Sequence, residues 1–173
     1  KSPVYWAFFL AHTIYIMNQL PYLSDPITVS QDMCDHNKHM NVNYYYKMFD
    51  SCYTSMYIKE LDFSPEYVES GFSTFTLEDS IRYLKEFRLE DKVYPSFYLN
   101  NVNNKLLHFV GILLNEEGEL AAIFETVLGH MDLNARKVTD FDDNRLKNLL
   151  SYQVTNKIDE NFPFDLKLKI RDL

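Results

Sequence analysis

Apolar residues recur at helical spacing between residues 42 and 61, a stretch that contains neither Gly nor Pro. One stripe consists of Tyr45, Phe49, Cys52 and Met56, and a neighbouring stripe consists of Tyr46, Tyr53 and Tyr57. Together the two stripes cover most of the circumference of a helix, so the pattern predicts a long helix that is buried on several sides. Asn41 stands directly before it and is a good N-cap residue.

Beyond residue 72 the pattern of apolar and polar residues becomes typical of β-strands. It predicts four strands, at residues 72–89, 92–102, 105–114 and 119–131. The asparagine-rich segment at residues 100–104 and the segment from Asn115 to Gly118 supply the turns between the last three strands. Pro95 indicates a bulge or an edge position in the second strand. Residues 27–32 predict a short strand before the helix, residues 144–152 a terminal helix, and residues 162–173 a tail that can add a strand.

The order of elements predicts an α+β fold in which an antiparallel sheet carries one long helix across its concave face. One helix cannot cover both faces of such a sheet, nor can the sheet surround the helix on every side. We therefore expect the chain to form a dimer. The main domain is expected over residues 25–141, with a C-terminal helix and tail, residues 142–173, packed on it.

The first 24 residues predict an apolar helical segment. Residues 4–17 are strongly apolar, but this run is shorter than the roughly 20 residues that a membrane span requires, and His12 interrupts it. Lys1 is the one basic residue before it and no small-residue cleavage site lies nearby, which disfavours a secretory signal. We expect a helix that docks on the domain or faces a partner, and no membrane span.

The amino-acid composition disfavours several classes of function. The apolar fraction of 46% in 173 residues is that of a globular domain rather than a disordered chain. The net charge of −8 disfavours nucleic acid and anionic membrane as main partners. The sequence has 4 glycines and contains no glycine-rich phosphate-binding motif. Two cysteines, Cys34 and Cys52, do not make a disulfide framework, which indicates a reducing cytoplasm.

The segment Asp35-x-Asn37-x-His39-x-Asn41 lies directly before the long helix. This spacing resembles the signature of the hotdog-fold thioesterases, in which plant and bacterial acyl-ACP thioesterases carry Asp-x-Asn-x-His-x-Asn. The Asp-x-Asn-Gly-His-Met-Asn of small bacterial acyl-CoA thioesterases is more similar still; these enzymes are 4-hydroxybenzoyl-CoA thioesterase-like and include betainyl-CoA thioesterases. Lys38 is the departure, since that group usually has glycine there.

The resemblance extends over most of the chain, from about residue 27 to the terminal helix. Further similar segments are Tyr83-Leu84-Lys85-Glu86, Lys105-Leu106-Leu107-His108, residues 125–130 with Asp132, and Arg136-Lys137. The resemblance implies a hotdog fold, in which an antiparallel sheet of about five strands wraps around one long central helix, with extra N- and C-terminal helices. It also implies hydrolysis of a small or medium acyl-CoA thioester (or of an acyl-ACP thioester) to the free acid by a homodimer or a dimer of dimers, without a cofactor.

The residue types of this motif suit thioester hydrolysis. Asp35 can activate water or attack the thioester carbonyl directly, and Asn37 can orient that carboxylate or the water. His39 can hydrogen-bond the thioester oxygen or carry a proton. Backbone N–H groups at the start of the helix, at Asn41 and Val42, can stabilise the developing oxyanion. Taken singly, Asp35 and Asn41 are also typical of an ordinary turn and helix cap.

Other polar residues are weaker candidates for catalysis or for binding coenzyme A. Glu78 and His108 are additional catalytic candidates, because a carboxylate from an adjacent strand or from a partner subunit can carry the reaction in hotdog enzymes; each is more often a structural residue. Candidates for binding the phosphates of coenzyme A are Arg82, Lys85, Arg136 and Lys137. An ordinary solvated face explains those four cations equally well.

Two alternatives stay open. A hotdog hydratase or dehydratase also uses Asp and His, but its usual Asp-x-Asn-Pro-x-His is one residue longer and contains proline. A non-catalytic acyl-thioester-binding domain is the second alternative, and Lys38 in place of glycine is the feature that favours it. Cys34, His36 and His39 do not have a standard zinc spacing, so no metal site is predicted.

Overall fold

The computed structural model describes residues 18–158 and 162–170. The helices are α1 (Val42–Lys59), α2 (Pro65–Glu69) and α3 (Asp143–Thr155), and Gln31–Met33 form one turn of 3-10 helix. The longer strands are β3 (Phe72–Tyr83), β4 (Lys92–Val102), β5 (Leu106–Leu114) and β6 (Leu120–Asp132). Three strands of two residues each are β1 (Tyr22–Leu23), β2 (Ile27–Thr28) and β7 (Lys137–Val138).

The strands form one antiparallel sheet in the order β1-β4-β5-β6-β3, with β2 paired to β4 and β7 paired to β6. The long helix α1 packs on one face of this sheet, and its N-cap is the predicted Asn41. The predicted α+β hotdog fold, an antiparallel sheet with one long central helix, is therefore confirmed.

Side chains on neighbouring positions of a strand point to opposite faces of a sheet. On β5, Leu107 and Phe109 pack in the core with Phe49 of α1, whereas Val110 and Ile112 belong to a second apolar cluster. We call the face that carries α1 the inner face and the opposite one the outer face. Both faces of the sheet are thus apolar, and α1 covers only the inner one.

The chain's own C-terminal segment covers the outer face. In residues 162–170, Phe162, Phe164 and Leu166 pack against the outer cluster and alternate with exposed residues. The strand that the tail was predicted to add does not form in these residues. Its backbone N–H groups at Lys167 and Leu168 donate to the carboxylate of Glu125 on β6 instead of to a neighbouring strand.

Two strands are shorter than the apolar pattern predicts. β3 ends at Tyr83 rather than at residue 89, because the N–H groups of Leu84 and Lys85 both donate to the carbonyl of Ala121 and the ladder stops there. Residues 84–89 form a loop, which we call the supporting loop. The strand predicted at residues 27–32 stops at Thr28, and the 3-10 turn follows it.

The apolar helical segment predicted for residues 1–24 lies outside the described residues up to residue 17. Its described end contains β1 instead of helix, since Pro21 has no N–H for a continuing helix. Among the residues that the structure describes, no helix combines the length and the apolar character needed to cross a bilayer.

Among the residues that the structure describes, α1 is buried on one side only. Its buried residues are Tyr45, Met48, Phe49 and Met56. Val42, Tyr46 and Ile58 are apolar or aromatic, yet 54%, 41% and 41% of their surface is exposed. The described residues therefore bury one side of the helix rather than the several sides that the apolar pattern predicts.

Candidate functional site

The motif segment folds into a small hairpin directly before α1. Cys34 and Met40 face each other in an antiparallel bridge, and the N–H of Asp35 donates to the carbonyl of His39 at 3.1 Å. Lys38 closes the turn by donating its N–H to the carbonyl of Asp35 at 3.0 Å. The hairpin therefore fixes the positions of Asp35 and His39 relative to each other.

Lys38 lies in the turn of this hairpin in a left-handed backbone conformation, with φ at +66°. That conformation costs a residue with a Cβ atom roughly 1–2 kcal/mol, and glycine adopts it freely. The position thus has the backbone shape that the glycine of the similar motifs would favour. Lysine keeps this shape at a cost in conformational energy, so the substitution does not by itself distort the hairpin.

The supporting loop holds the second arm of the hairpin. The N–H of Met40 donates to the carbonyl of Phe87 at 2.7 Å, and His39 pairs with Arg88 in an isolated bridge. The Nδ1 atom of His39 lies 3.3 Å from the carbonyl of Met40, to which it can donate a proton. That tautomer leaves Nε2 of His39 to accept or transfer a proton at a substrate.

The helix α1 begins where the hairpin ends. The side chain of Asn41 caps it by accepting the N–H of Asn43 at 3.0 Å. The N–H of Asn41 itself donates to the carbonyl of Met33 at 2.9 Å. Asn41 therefore cannot at the same time donate that N–H to an oxyanion, and Val42, at the positive end of the helix dipole, is the better candidate.

A cleft of about 540 Å³ opens beside the hairpin. It is lined by His39, Met40, Val42, Tyr45, Tyr83, Leu84, Lys85 and Glu86. The structure thus brings together three of the predicted site residues: His39, Val42 and Lys85. The other wall residues were not among the predicted ones. For Tyr83, Leu84 and Glu86 the signal in the sequence is the similar segment at residues 83–86, in which Lys85 alone has a predicted role. Met40 lies within the motif and Tyr45 on an apolar stripe of the predicted helix.

Asp35 and Asn37 do not line this cleft in the described part of the subunit. Asp35 is half-buried, and its Oδ1 accepts the N–H of Asn37 at 2.8 Å. Asn37 is exposed in the hairpin turn. Asp35 is nevertheless held next to the cleft, because its N–H is bonded to the carbonyl of His39, a wall residue.

Three further candidates lie elsewhere. Arg82 and His108 are on the outer face, where Arg82 donates to Oε1 of Glu125 at 3.0 Å and Nε2 of the buried His108 lies 3.6 Å from Oε2. Glu78 is exposed on β3, beside the register shift that follows Thr76. Within one chain, the sheet separates Arg82 and His108 from the cleft.

The remaining cationic candidates lie at opposite ends of β3. Lys85 follows its end and pairs with the carboxylate of Glu119. Arg136 and Lys137 lie near its beginning, where Arg136 covers the ring of Phe75 at 5.0 Å and Lys137 pairs with the end of β6. The 12 residues of β3 span roughly 36 Å, so Lys85 and these two cations do not meet within one chain.

The two cysteines are free thiols. Burial raises the pKa of the Cys52 thiol, which makes it a weak nucleophile at neutral pH. Within residues 18–158 and 162–170, no three side chains of His, Cys, Asp or Glu come together in a way that would hold a metal ion.

Comparison with known proteins adds a family assignment to this geometry. The family model of the thioesterase-like superfamily matches residues 29–149. The L-carnitine dehydrogenase/betainyl-CoA thioesterase of Rhizobium meliloti (strain 1021) is 31% identical over 105 residues, which cover 60% of this chain and 21% of that relative. The protein of the same name from Agrobacterium fabrum is 28% identical over 103 residues. The chain spans about a fifth of the length of these curated relatives.

Solved structures agree with the fold. A Staphylococcus aureus protein determined in complex with CoA has a TM-score of 0.76 and is 24% identical, over 91% of this chain and 99% of that one. The DHNA-CoA thioesterase of the same organism has a TM-score of 0.69 and is 18% identical, over 78% of this chain and 92% of that one. Because both structures are less than 25% identical to this chain, their similarity establishes the fold alone.

Proposed function

The chain belongs to the thioesterase-like superfamily, and we propose that it hydrolyses an acyl-CoA thioester to a free acid and coenzyme A. The observation that carries the proposal is the meeting of His39 and Val42 at one cleft, beside the hairpin that holds Asp35. A titratable side chain and the positive end of a helix then face the same space. The carboxylate of Asp35 is held nearby, because the backbone N–H of Asp35 donates to the carbonyl of His39.

The proposed chemistry uses this arrangement in order. Asp35 takes a proton from a water molecule that attacks the thioester carbonyl, or attacks that carbonyl itself. The N–H of Val42 and the dipole of α1 stabilise the negative charge that develops on the carbonyl oxygen. The C–S bond then breaks, and the departing thiolate takes up the proton that Asp35 removed from water, relayed through Nε2 of His39. If Asp35 attacks the carbonyl itself, breaking the C–S bond leaves a mixed anhydride on Asp35; water then hydrolyses this anhydride to release the acid and supplies the proton that the thiolate takes up. Asn37 orients the carboxylate or the water.

We further propose that two copies pair through β3. This strand of 12 residues is at the end of the sheet, and its outer edge has no partner strand among the described residues. A long unpaired edge readily pairs with another strand. Leu77 on β3 and Tyr46 on α1, 53% and 41% exposed, would be covered by such a partner.

This pairing would also complete the site. Two antiparallel copies of β3 related by a two-fold axis place the beginning of one strand beside the end of the other. Arg136 and Lys137 of a second copy would then lie near Lys85 and the cleft of the first. The three cations, separated in one subunit, would form a basic surface for the phosphates of coenzyme A.

Sedimentation tests the dimer. We expect a particle of about twice the chain mass of 20.6 kDa at micromolar concentration, and we expect Leu77→Lys to shift it to monomer and to abolish turnover. Leu150→Lys is the matched control, since Leu150 is also exposed but lies on α3. A wild-type monomer that hydrolyses thioesters at full rate would contradict the proposal.

A thiol-release assay tests the activity. We expect the purified chain to release free thiol from at least one member of a panel of acyl-CoA thioesters, with acyl-ACP tested in parallel. Loss of the enoyl absorbance of crotonyl-CoA without thiol release would instead identify a hydratase. Calorimetric binding of acyl-CoA without turnover would identify a binding domain.

The panel should contain a matched pair of acyl groups. Tyr45, Tyr83 and Glu86 line the cleft, and aromatic rings with a nearby carboxylate can hold a quaternary ammonium group. The curated relatives are named for betainyl-CoA. Betainyl-CoA and 3,3-dimethylbutanoyl-CoA have nearly the same shape and differ in charge. Equal kcat/KM for the two would exclude recognition of the cation.

A further inference from the structure

Tyr45 connects three parts of the candidate site. It lies in the first turn of α1 and its ring lines the cleft. Its hydroxyl donates to the carbonyl of Lys85 at 3.3 Å and accepts the N–H of Phe87 at 3.1 Å. Both of these partners belong to the supporting loop, so one oxygen atom ties the loop to the helix.

The supporting loop has few other ties of this kind. It leaves the sheet where Leu84 and Lys85 donate to Ala121. At its far end, the N–H of Arg88 donates to Asp91 at 2.7 Å. Between these points the described residues show it bonded to α1 through Tyr45 and to the hairpin through Met40 and His39. The side chain of Lys85 also pairs with Glu119, and the ring of Phe87 is buried in the core. Tyr45 is the residue that joins the loop to α1 by hydrogen bonds, so the position of the hairpin arm depends in part on how firmly Tyr45 holds the loop.

We infer that Tyr45 is a positioning residue, whose hydroxyl keeps the supporting loop, and through it His39, in the place that thioester hydrolysis requires. This inference rests on the proposed function. It assigns Tyr45 an action through the backbone of residues 85–87 and not a contact with the reacting atoms.

Two properties separate this role from acid–base catalysis and from simple packing. Burial raises the pKa of Tyr45 to about 12, so the hydroxyl stays protonated and keeps donating at neutral pH. The ring is held independently by Tyr83 and Phe87, with ring centres 5.1 and 5.9 Å away. Phenylalanine at this position would keep the ring contacts and lose only the two hydrogen bonds.

The test compares Tyr45→Phe with wild type and with Tyr98→Phe, a control that removes a hydroxyl from a buried tyrosine on the outer face. We expect Tyr45→Phe to lower kcat roughly tenfold with less than about a twofold change in KM, since small displacements of a catalytic group act mainly on the chemical step. The loss should be uniform between about pH 6 and pH 9, because no titrating group is removed. Tyr98→Phe should behave as wild type.

Amide hydrogen exchange provides a readout that does not depend on activity. In Tyr45→Phe the amides of Phe87 and Met40 should exchange at least about tenfold faster, while they keep wild-type rates in Tyr98→Phe. Unchanged exchange in Tyr45→Phe, or an unchanged kcat in an active enzyme, would overturn the inference. If wild type releases no thiol from any thioester, the proposed function fails, and with it the catalytic part of the inference; the exchange rates still decide whether Tyr45 holds the loop.

Discussion

Asp35→Asn should lower kcat for thioester hydrolysis by roughly a thousandfold, with a small effect on KM. An amide can neither take a proton from water at neutral pH nor attack a carbonyl as a carboxylate does. Asparagine has the same shape, and its Oδ1 can still accept the N–H of Asn37, which now bonds to Asp35 at 2.8 Å. The hairpin should therefore stay folded, and the loss measured by thiol release at saturating substrate should report the chemical step.

Asp32→Asn is the matched control for that experiment. Asp32 is an exposed carboxylate three residues earlier, in the 3-10 turn, and it accepts a hydrogen bond from the hydroxyl of Ser30 at 2.5 Å. We expect it to keep kcat within about twofold of wild type, the range typical of exposed substitutions away from a site. An Asp35→Asn enzyme that keeps more than about a tenth of the wild-type kcat would remove Asp35 from the proposed mechanism.

Local patterns in the sequence were sufficient to predict the helix α1 and to locate the motif directly before it. The helical spacing before and after Phe49 predicted α1, and the side chain of Asn41 caps it as expected. The hairpin forms because its short polar residues bond their own backbone neighbours, as Asp35 does with Asn37. These interactions join residues a few positions apart, so they can be read from the chain directly.

The walls of the cleft could not be predicted in the same way. The apolar pattern of β3 continues through Leu84, Phe87 and Leu89, and nothing in it shows that the strand ends at Tyr83. The strand ends because the N–H groups of Leu84 and Lys85 both donate to the carbonyl of Ala121, which lies 37 and 36 residues further along the chain. The supporting loop and the role of Tyr45 follow from that distant pairing.

The largest effect on stability is expected at Glu125, which is fully buried on the outer face. Its Oε1 accepts from Arg82 at 3.0 Å, and its Oε2 accepts the N–H groups of Lys167 and Leu168 at 2.8 and 2.9 Å. The sequence pattern could not identify this role, since the tail that buries Glu125 follows it by about 40 residues. The same carboxylate therefore joins β6 to β3 and to the C-terminal segment.

Glu125→Ala should lower the free energy of unfolding by about 3–5 kcal/mol, because it leaves a guanidinium and two backbone N–H groups without their buried acceptor. Denaturant unfolding followed by circular dichroism measures the change. Glu116→Ala is the matched control. Glu116 pairs with Lys92 on the surface, where 53% of its side chain is exposed, and its loss should cost less than about 1 kcal/mol.

The stabilisation by Glu125 should also depend on pH in one direction. Burial alone would raise the pKa of this carboxyl, but the nearby His108 and the N–H groups of Leu168 and Lys167 outweigh it and lower the pKa below its ordinary 4.5. The folded state thus binds the proton less tightly than the unfolded chain does. The contribution is therefore complete above about pH 4.5 and is lost as the pH falls through the lower folded value. The stability difference between wild type and Glu125→Ala should shrink on acidification, and a difference equally large at about pH 7 and pH 3 would contradict this role for the carboxylate.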